Sequence, residues 1–387
     1  MKRVYLHVKS LYRFLSKRFQ VKNYRHILVF RVGRMGDFLT AIPAIADIRT
    51  QHPDSVIILL TTTSLRARSR LLAQNYTTAG DPQPWLQLLP PGLVDHRIAI
   101  SNLLSLNGIQ TVRKALAKSP PDIAVILPTS RERWISVFRK SILLRILGVR
   151  CQIYGGSRGF LKSLPLHQVA TARAALVEAG LIAHPVHPQG ISPRPSISAA
   201  TIEWSRRMMS TQFDSSRPIV AVYAGSTFEH KRWPAERFIL LINELHRCYG
   251  INIVLIGSSH DSCWAEKIEL SISAPCWNAC GKTNIEQLSA ILETSSIFVG
   301  NDGGPGHLAA FVGIPTVSIF SGIHEPGVWE PFGKHSVSVR AVVPCSPCRA
   351  ESACPLGTCA CIRDVTLREV FLQCEHMLRL THCEITN

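Results

Sequence analysis

No stretch of this sequence is apolar for anything near the ~20 residues needed to cross a bilayer. Nor does its basic opening run into the roughly 7–15-residue apolar core and small-residue cleavage site of a secretory signal. A membrane-spanning chain is excluded on this basis, and a cytoplasmic location is expected. Acidic residues are scarce: 26 Asp and Glu face 43 Lys and Arg, for a formal charge of +17. That imbalance points to an anionic partner, whether nucleic acid, an acidic membrane surface or a phosphorylated substrate. Several motifs are missing too. Without G-x-x-x-x-G-K-[ST], ATP hydrolysis is disfavoured, and without G-x-G-x-x-G and its later acidic residue a nicotinamide site is not expected. The 15 histidines show no H-x-x-x-H pairing and the chain has no Asp-x-Asp, so no catalytic metal is indicated. Few aromatics interleave the basic stretches and no nucleic-acid module is visible, so no nucleic-acid partner is expected.

What is present suits a folded α/β protein. The 387 residues predict two domains, each able to bury a core. Residues 1–25 form a basic segment with Val4, Val8, Leu11, Leu15 and Phe19 at helical spacing. Such a helix lies on an anionic membrane or packs its stripe on its own domain. Apolar runs of strand length then alternate with helical patterns from residue 26 to 190: strands at 27–30, 56–60 and 122–127, helices at about 64–75, 102–118 and 131–147. Pro43 should kink or delay the helix that follows the first strand. Four prolines between His184 and Pro195 mark an interdomain connection, with the linker placed at 191–200. The alternation restarts over 201–365 and a terminal helix closes the chain in 366–387. Strand–helix alternation of this kind implies parallel, doubly wound sheets.

Three stretches could carry chemistry. Gly33-Arg34-Met35-Gly36-Asp37 presents a carboxylate where a helix begins, so Asp37 either caps that helix or serves as a general base. Ala224-Gly225-Ser226-Thr227 follows a strand, and Lys231-Arg232-Trp233-Pro234 opens a helix. A lysine and hydroxyls beside a helix amino end suit a diphosphate, although a solvated basic loop would read the same way. The third, Asn301-Asp302-Gly303-Gly304-Pro305-Gly306-His307, joins a buried strand to an apolar helix. Glycines there serve either turn sterics or phosphate approach. The 12 cysteines, read as reduced thiols, cluster only in a segment at 345–361. Cys345, Cys348, Cys354 and Cys359 could form a structural zinc site, but the later spacings are not a clean second C-x-x-C, and free thiols in a compact loop are the favoured reading, with disulfides or another metal also open.

These motifs together resemble glycosyltransferase family nine, the lipopolysaccharide heptosyltransferase family. The resemblance is carried, in order, by Arg31…Gly36-Asp37…Pro43-Ala44, Gly225…Lys231-Arg232-Trp233-Pro234, Cys280-Gly281-Lys282-Thr283, Asn301 to His307 and Cys345-Ser-Pro-Cys348. It implies the GT-B fold, two Rossmann-like doubly wound domains facing across a cleft, with an acceptor-side and a donor-side half. It also implies an inverting, metal-independent glycosyltransferase that needs no cofactor. A nucleotide sugar such as ADP-heptose would donate to a phosphorylated glycolipid of the lipopolysaccharide core or a related envelope glycan, at the inner face of the inner membrane. By resemblance Asp37 is the general base, and Arg31 and Arg34 contact the acceptor. Ser226, Thr227, Lys231, Asp302, Gly303, Gly304 and His307 hold the donor. Two other classes stay in view, a nucleotide-sugar epimerase and a non-enzymatic polyanion- or membrane-surface-binding protein.

Overall fold

The computed structural model describes residues 22–62, 84–99, 105–128, 134–155, 167–186, 193–350 and 353–385. Most of the amino-terminal segment, the helix expected at 64–75, Arg131 and Arg133, and the start of the expected linker lie outside them. The chain divides into two units, Met1–Pro193 and Arg194–Asn387.

In the first unit, β1 (His26–Val32) leads into a short α1 (Met35–Leu39) and then α2 (Ile42–Gln51). The break between α1 and α2 is the delay expected of Pro43, which occupies the first turn of α2, where its missing N–H leaves no bond unmade. There follow β2 (Val56–Thr62), β3 (His96–Ala99), α3 (Leu106–Lys118), β4 (Ile123–Ile126), α4 (Trp134–Ile146), β5 (Gln152–Gly155) and α5 (Gln168–Glu178). The strands pair in the order β3-β2-β1-β4-β5, every neighbour parallel. Helices cover such a sheet on both faces, so its central strands read as unbroken apolar runs; Ile27 to Phe30 and Ile123 to Ile126 are wholly buried.

The second unit opens with α6 (Ala199–Gln212), whose first turn is capped by Ser198 Oγ accepting from Thr201 N–H. It continues through β6 (Ile219–Tyr223), α7 (Ala235–Tyr249), β7 (Asn252–Leu255), α8 (Ser262–Glu269), β8 (Cys276–Asn278) and α9 (Ile285–Glu293). After these come β9 (Ile297–Asn301), α10 (Gly304–Val312), β10 (Thr316–Ile319), β11 (Ser336–Val339) and α11 (Leu367–Ile385). Its sheet is again all parallel, in the order β11-β10-β9-β6-β7-β8. The core joins Phe238, Leu241, Ile242 and Leu245 of α7 to Val370, Cys374, Met377 and Leu378 of α11, so the terminal helix is part of this unit's interior.

Each sheet has one place where neighbouring strands send their following segments to opposite faces. In the first it lies between β1 and β4, in the second between β6 and β9. Open parallel sheets bind ligands in the crevice at the carboxyl ends of those two strands. Both candidate stretches, the turn after β1 and the turn after β9, sit at these points.

Candidate functional site

In the second unit three segments converge at the carboxyl ends of β6 and β9. Asn301, the last residue of β9, is fully buried. Its Oδ1 accepts from the Trp233 N–H at 3.0 Å, and its Nδ2 donates to the carbonyls of Ala224 (2.8 Å) and Gly225 (3.1 Å). One side chain therefore ties the loop after β6, the start of α7 and the glycine turn to a common point. Next to it, Lys231 Nζ meets Asp302 Oδ2 at 2.7 Å, the two side chains only 15% and 9% exposed.

Lys231 ends a single turn of tight helix, Glu229–Lys231, held by its own backbone and followed by the buried Trp233. Trp233 packs edge-on against Phe238 at 5.0 Å and donates its indole N–H to the Val365 carbonyl, which fixes the loop to the core. Burial pushes the His230 imidazole below its ordinary range, so it is neutral at pH 7 and Lys231 is the ammonium this turn offers. Arg232 stacks over the Trp264 ring at 3.6 Å and donates to the Ser226 carbonyl, so its charge is used to hold the loop.

Ser226 is buried beside this turn and Thr227 is exposed. At Gly303 a Cβ would stand 2.9 Å from the Tyr223 ring, so a side chain there would displace the aromatic wall of the turn. Gly304 is the first residue of α10, the end of the helix where the dipole favours an anion. Pro305 has no N–H and Gly306 donates its own to the Gly303 carbonyl, so the Gly304 N–H lies nearest the turn. His307 is buried one turn further along α10. Thus Ser226, Lys231, Asp302 and the glycine turn, expected together from the sequence, share the end of one sheet.

In the first unit Asp37 lies in α1, with Oδ2 accepting from the Arg34 N–H at 3.0 Å. The carboxylate caps its own helix while staying partly exposed. Its Cβ presses on residue 33, where any side chain would begin 2.3 Å away, so only glycine fits. Arg31 is buried: Nε and Nη2 donate to the Asp37 carbonyl at 3.0 and 2.6 Å, and Nη1 to the Leu127 carbonyl at 3.0 Å. It holds the Asp37 turn across the β1–β4 gap from inside the fold. Of the two arginines expected at an acceptor, Arg34 is the exposed one.

The cysteine-rich segment carries free thiols at Cys345, Cys348, Cys354, Cys359 and Cys361. Among the described residues no group of three or more His, Cys, Asp or Glu side chains gathers in a metal-binding arrangement.

Sequence reasoning passed over Asn301 and the inward role of Arg31. A polar residue closing an apolar strand run was the available signal for Asn301. Replacing it with leucine, which keeps the branching at Cγ but has no hydrogen-bonding atoms, should strip partners from one buried N–H and two buried carbonyls, at about 1–3 kcal/mol for each group left unsatisfied. Asn301→Leu is expected to lower the urea midpoint of the second unit by an amount equivalent to roughly 3 kcal/mol or more. A midpoint within experimental error of the parent would mean that the three loops hold themselves.

A lipopolysaccharide heptosyltransferase 3 of Escherichia coli is 23% identical over 313 residues, 78% of this chain and 85% of that protein. A lipooligosaccharide heptosyltransferase 2 of Campylobacter jejuni is 25% identical over 173 residues, 43% of this chain and about half (53%) of that relative. Among solved structures, an E. coli ADP-heptose lipopolysaccharide heptosyltransferase II superposes with a TM-score of 0.66 at 17% identity, over 92% of this chain and 99% of that one. That likeness, with two Rossmann-like parallel sheets, gives the GT-B class. The profile described as glycosyltransferase family 9 (heptosyltransferase) matches residues 155–358, which include Lys231 and Asp302 and stop short of Asp37. The match covers more than half of the sequence, and the chain belongs to glycosyltransferase family 9, the heptosyltransferase family.

Proposed function

We propose that this enzyme moves a heptose, with inversion, from ADP-heptose to a phosphorylated acceptor of the lipopolysaccharide core or a related envelope glycan, at the cytoplasmic face of the inner membrane. The observation that carries the donor half is the Lys231–Asp302 pair beside the amino end of α10. A leaving diphosphate gains negative charge in the transition state, and a fixed ammonium with oriented backbone N–H groups stabilises it without reorganising. The choice of heptose and of ADP is supported by the names of the relatives.

In this mechanism Lys231, the Ser226 and Thr227 segment and the first turn of α10 hold the diphosphate. Asp302 orients Lys231 and lies beside the glycine turn, where it can accept from sugar hydroxyls, and His307 backs that turn from within α10. Asp37 takes the proton from the acceptor hydroxyl as that oxygen attacks the anomeric carbon from the face opposite the diphosphate. One displacement of this kind inverts the anomeric centre. Arg34 would meet acceptor phosphate. Charge on the diphosphate is met by protein groups, so transfer is expected to proceed in a chelator.

Thermal unfolding with nucleotide sugars tests the donor assignment, since a ligand that binds only the native state raises its stability. ADP-heptose at about 100 times its dissociation constant should contribute roughly 2.7 kcal/mol, while UDP- and GDP-sugars at the same concentration should give little shift. An equal or larger shift with a UDP- or GDP-sugar would overturn the donor assignment.

A further inference from the structure

We propose that the outward face of α3 and α4 in the first unit is a docking surface for an anionic phospholipid bilayer. Phe138, Ile142 and Ile146 stand four residues apart on α4, and each is exposed, at 57, 44 and 43%. That spacing puts them in one line along the helix. Leu106, at the start of α3, is 80% exposed. The opposite side of α4 is already anchored: Leu143, Leu144 and Leu147 are buried with Val112 and Leu116 of α3. The exposed line is therefore additional to what the core uses.

Cations flank it on both helices. Arg139 and Arg145 are exposed on α4, and Arg113, Lys114 and Lys118 on α3. Neither helix contains an Asp or Glu. Arg113 Nε donates to the Ile146 carbonyl, which binds α3 to the end of α4 and makes the two faces neighbours. Single exposed apolar side chains are ordinary, but a line of three on helices whose charged side chains are all cations suits a surface at the headgroup boundary. The apolar side chains enter the acyl edge while the cations meet lipid phosphate. A second copy of the chain fits poorly, because a two-fold contact through this face would set the same cations against each other.

This surface deepens the membrane part of the reading above without depending on the transfer chemistry, because binding can be measured with neither donor nor acceptor. The test is sedimentation of the full chain with phosphatidylcholine vesicles, with and without phosphatidylglycerol. Binding is expected only with the anionic lipid and should weaken as salt is raised. Removing Lys114, Lys118 and Arg139 together as glutamines should lower partitioning roughly a hundredfold, at about fivefold per charge. The triple variant Phe138→Ser, Ile142→Ser, Ile146→Ser should lower it roughly tenfold or more. Lys114, Lys118 and Arg139 are exposed, so the glutamine variant should keep the parent's thermal midpoint, and the serine variant is compared below its own midpoint. A photo-crosslinking amino acid at position 142 should capture lipid, and one at position 270 of the second unit, also exposed, should not.

Parental partitioning by both variants would overturn the proposal and move any membrane contact elsewhere in the chain. Capture of a second copy of the chain from position 142, in place of lipid, would overturn it in favour of a protein interface. The donor-induced thermal shift, measured without lipid, separates failure of this proposal from failure of the glycosyltransferase reading.

Discussion

Asp37→Asn is expected to reduce glycosyl transfer by roughly two to four orders of magnitude, the range general-base catalysis supplies, while donor affinity stays at the parental level. The substitution separates the cap observed at this carboxylate from the base proposed for it. Asp37 caps α1 by accepting from the Arg34 N–H. An asparagine oxygen can take over that bond, since Asn and Asp cap helices about equally well. What asparagine cannot do is accept and hold the proton of an attacking hydroxyl. If Asp37 were only a cap, the variant would turn over at close to the parental rate, and single-turnover measurement with saturating donor would show it. The Arg31 clamp contacts the backbone carbonyl of Asp37, not its side chain, so the turn itself should be unchanged.

The second large effect is expected at Lys231. Lys231→Met keeps a long side chain and removes the ammonium. The loss of a group that stabilises the departing diphosphate should cost about 10²–10³ in kcat, together with a measurable loss of donor affinity by calorimetry. It should also destabilise the protein, because Asp302 would be left nearly buried without its partner. Breaking a fully buried pair costs about 3–5 kcal/mol, and the residual exposure here reduces that to about half. The double variant Lys231→Met, Asp302→Asn resolves these contributions, since it removes both charges and should recover most of the stability. Donor binding should not recover with it. Parental donor affinity in the single variant would dismiss the diphosphate role, whatever happened to stability.

The sequence exposed much of this fold because parallel strands buried on both faces leave continuous apolar runs. β1, β2, β4, β6, β7, β9 and β10 were all readable that way. Other elements lacked such a signal. β3, β8 and β11 are about as short as β4, β7 and β10, but most of their residues are only partly buried or exposed, so no continuous apolar run marks them. Polar and glycine residues interrupt β5 (Gln152–Gly155) in the same way. α5 is buried along most of its length, so Val169 and Ala172 to Val177 show no polar face to give a helical repeat. α6 starts only a few residues after a proline-rich stretch that reads as linker.

For the candidate site, residue type and spacing identified the groups that could meet a ligand but not the ones that hold them. Lys231 and Asp302 stood out as charges beside turns, although nothing in their 71-residue separation announced that they pair. Arg31 drew attention as a cation and proved to face inward. Its partners are backbone carbonyls, one of them 96 residues away, and backbone acceptors leave no mark in a sequence.

Arg31 and Asn301 have a common consequence. A parallel sheet leaves a crevice where the chain departs to opposite sides after two adjacent strands, and the ladder that satisfied each backbone group stops there. The same divergence that makes room for a substrate leaves peptide groups without neighbours. In each half of this protein one buried polar side chain spans that divergence, a guanidinium in the first and a carboxamide in the second. Each acts as a keystone: topology opens the vault and a single side chain keeps its rim from spreading. Two buried side chains would then set how far apart the groups around each crevice stand, and substitutions intended to reshape either crevice will be tolerated only while the keystone beneath it is left in place.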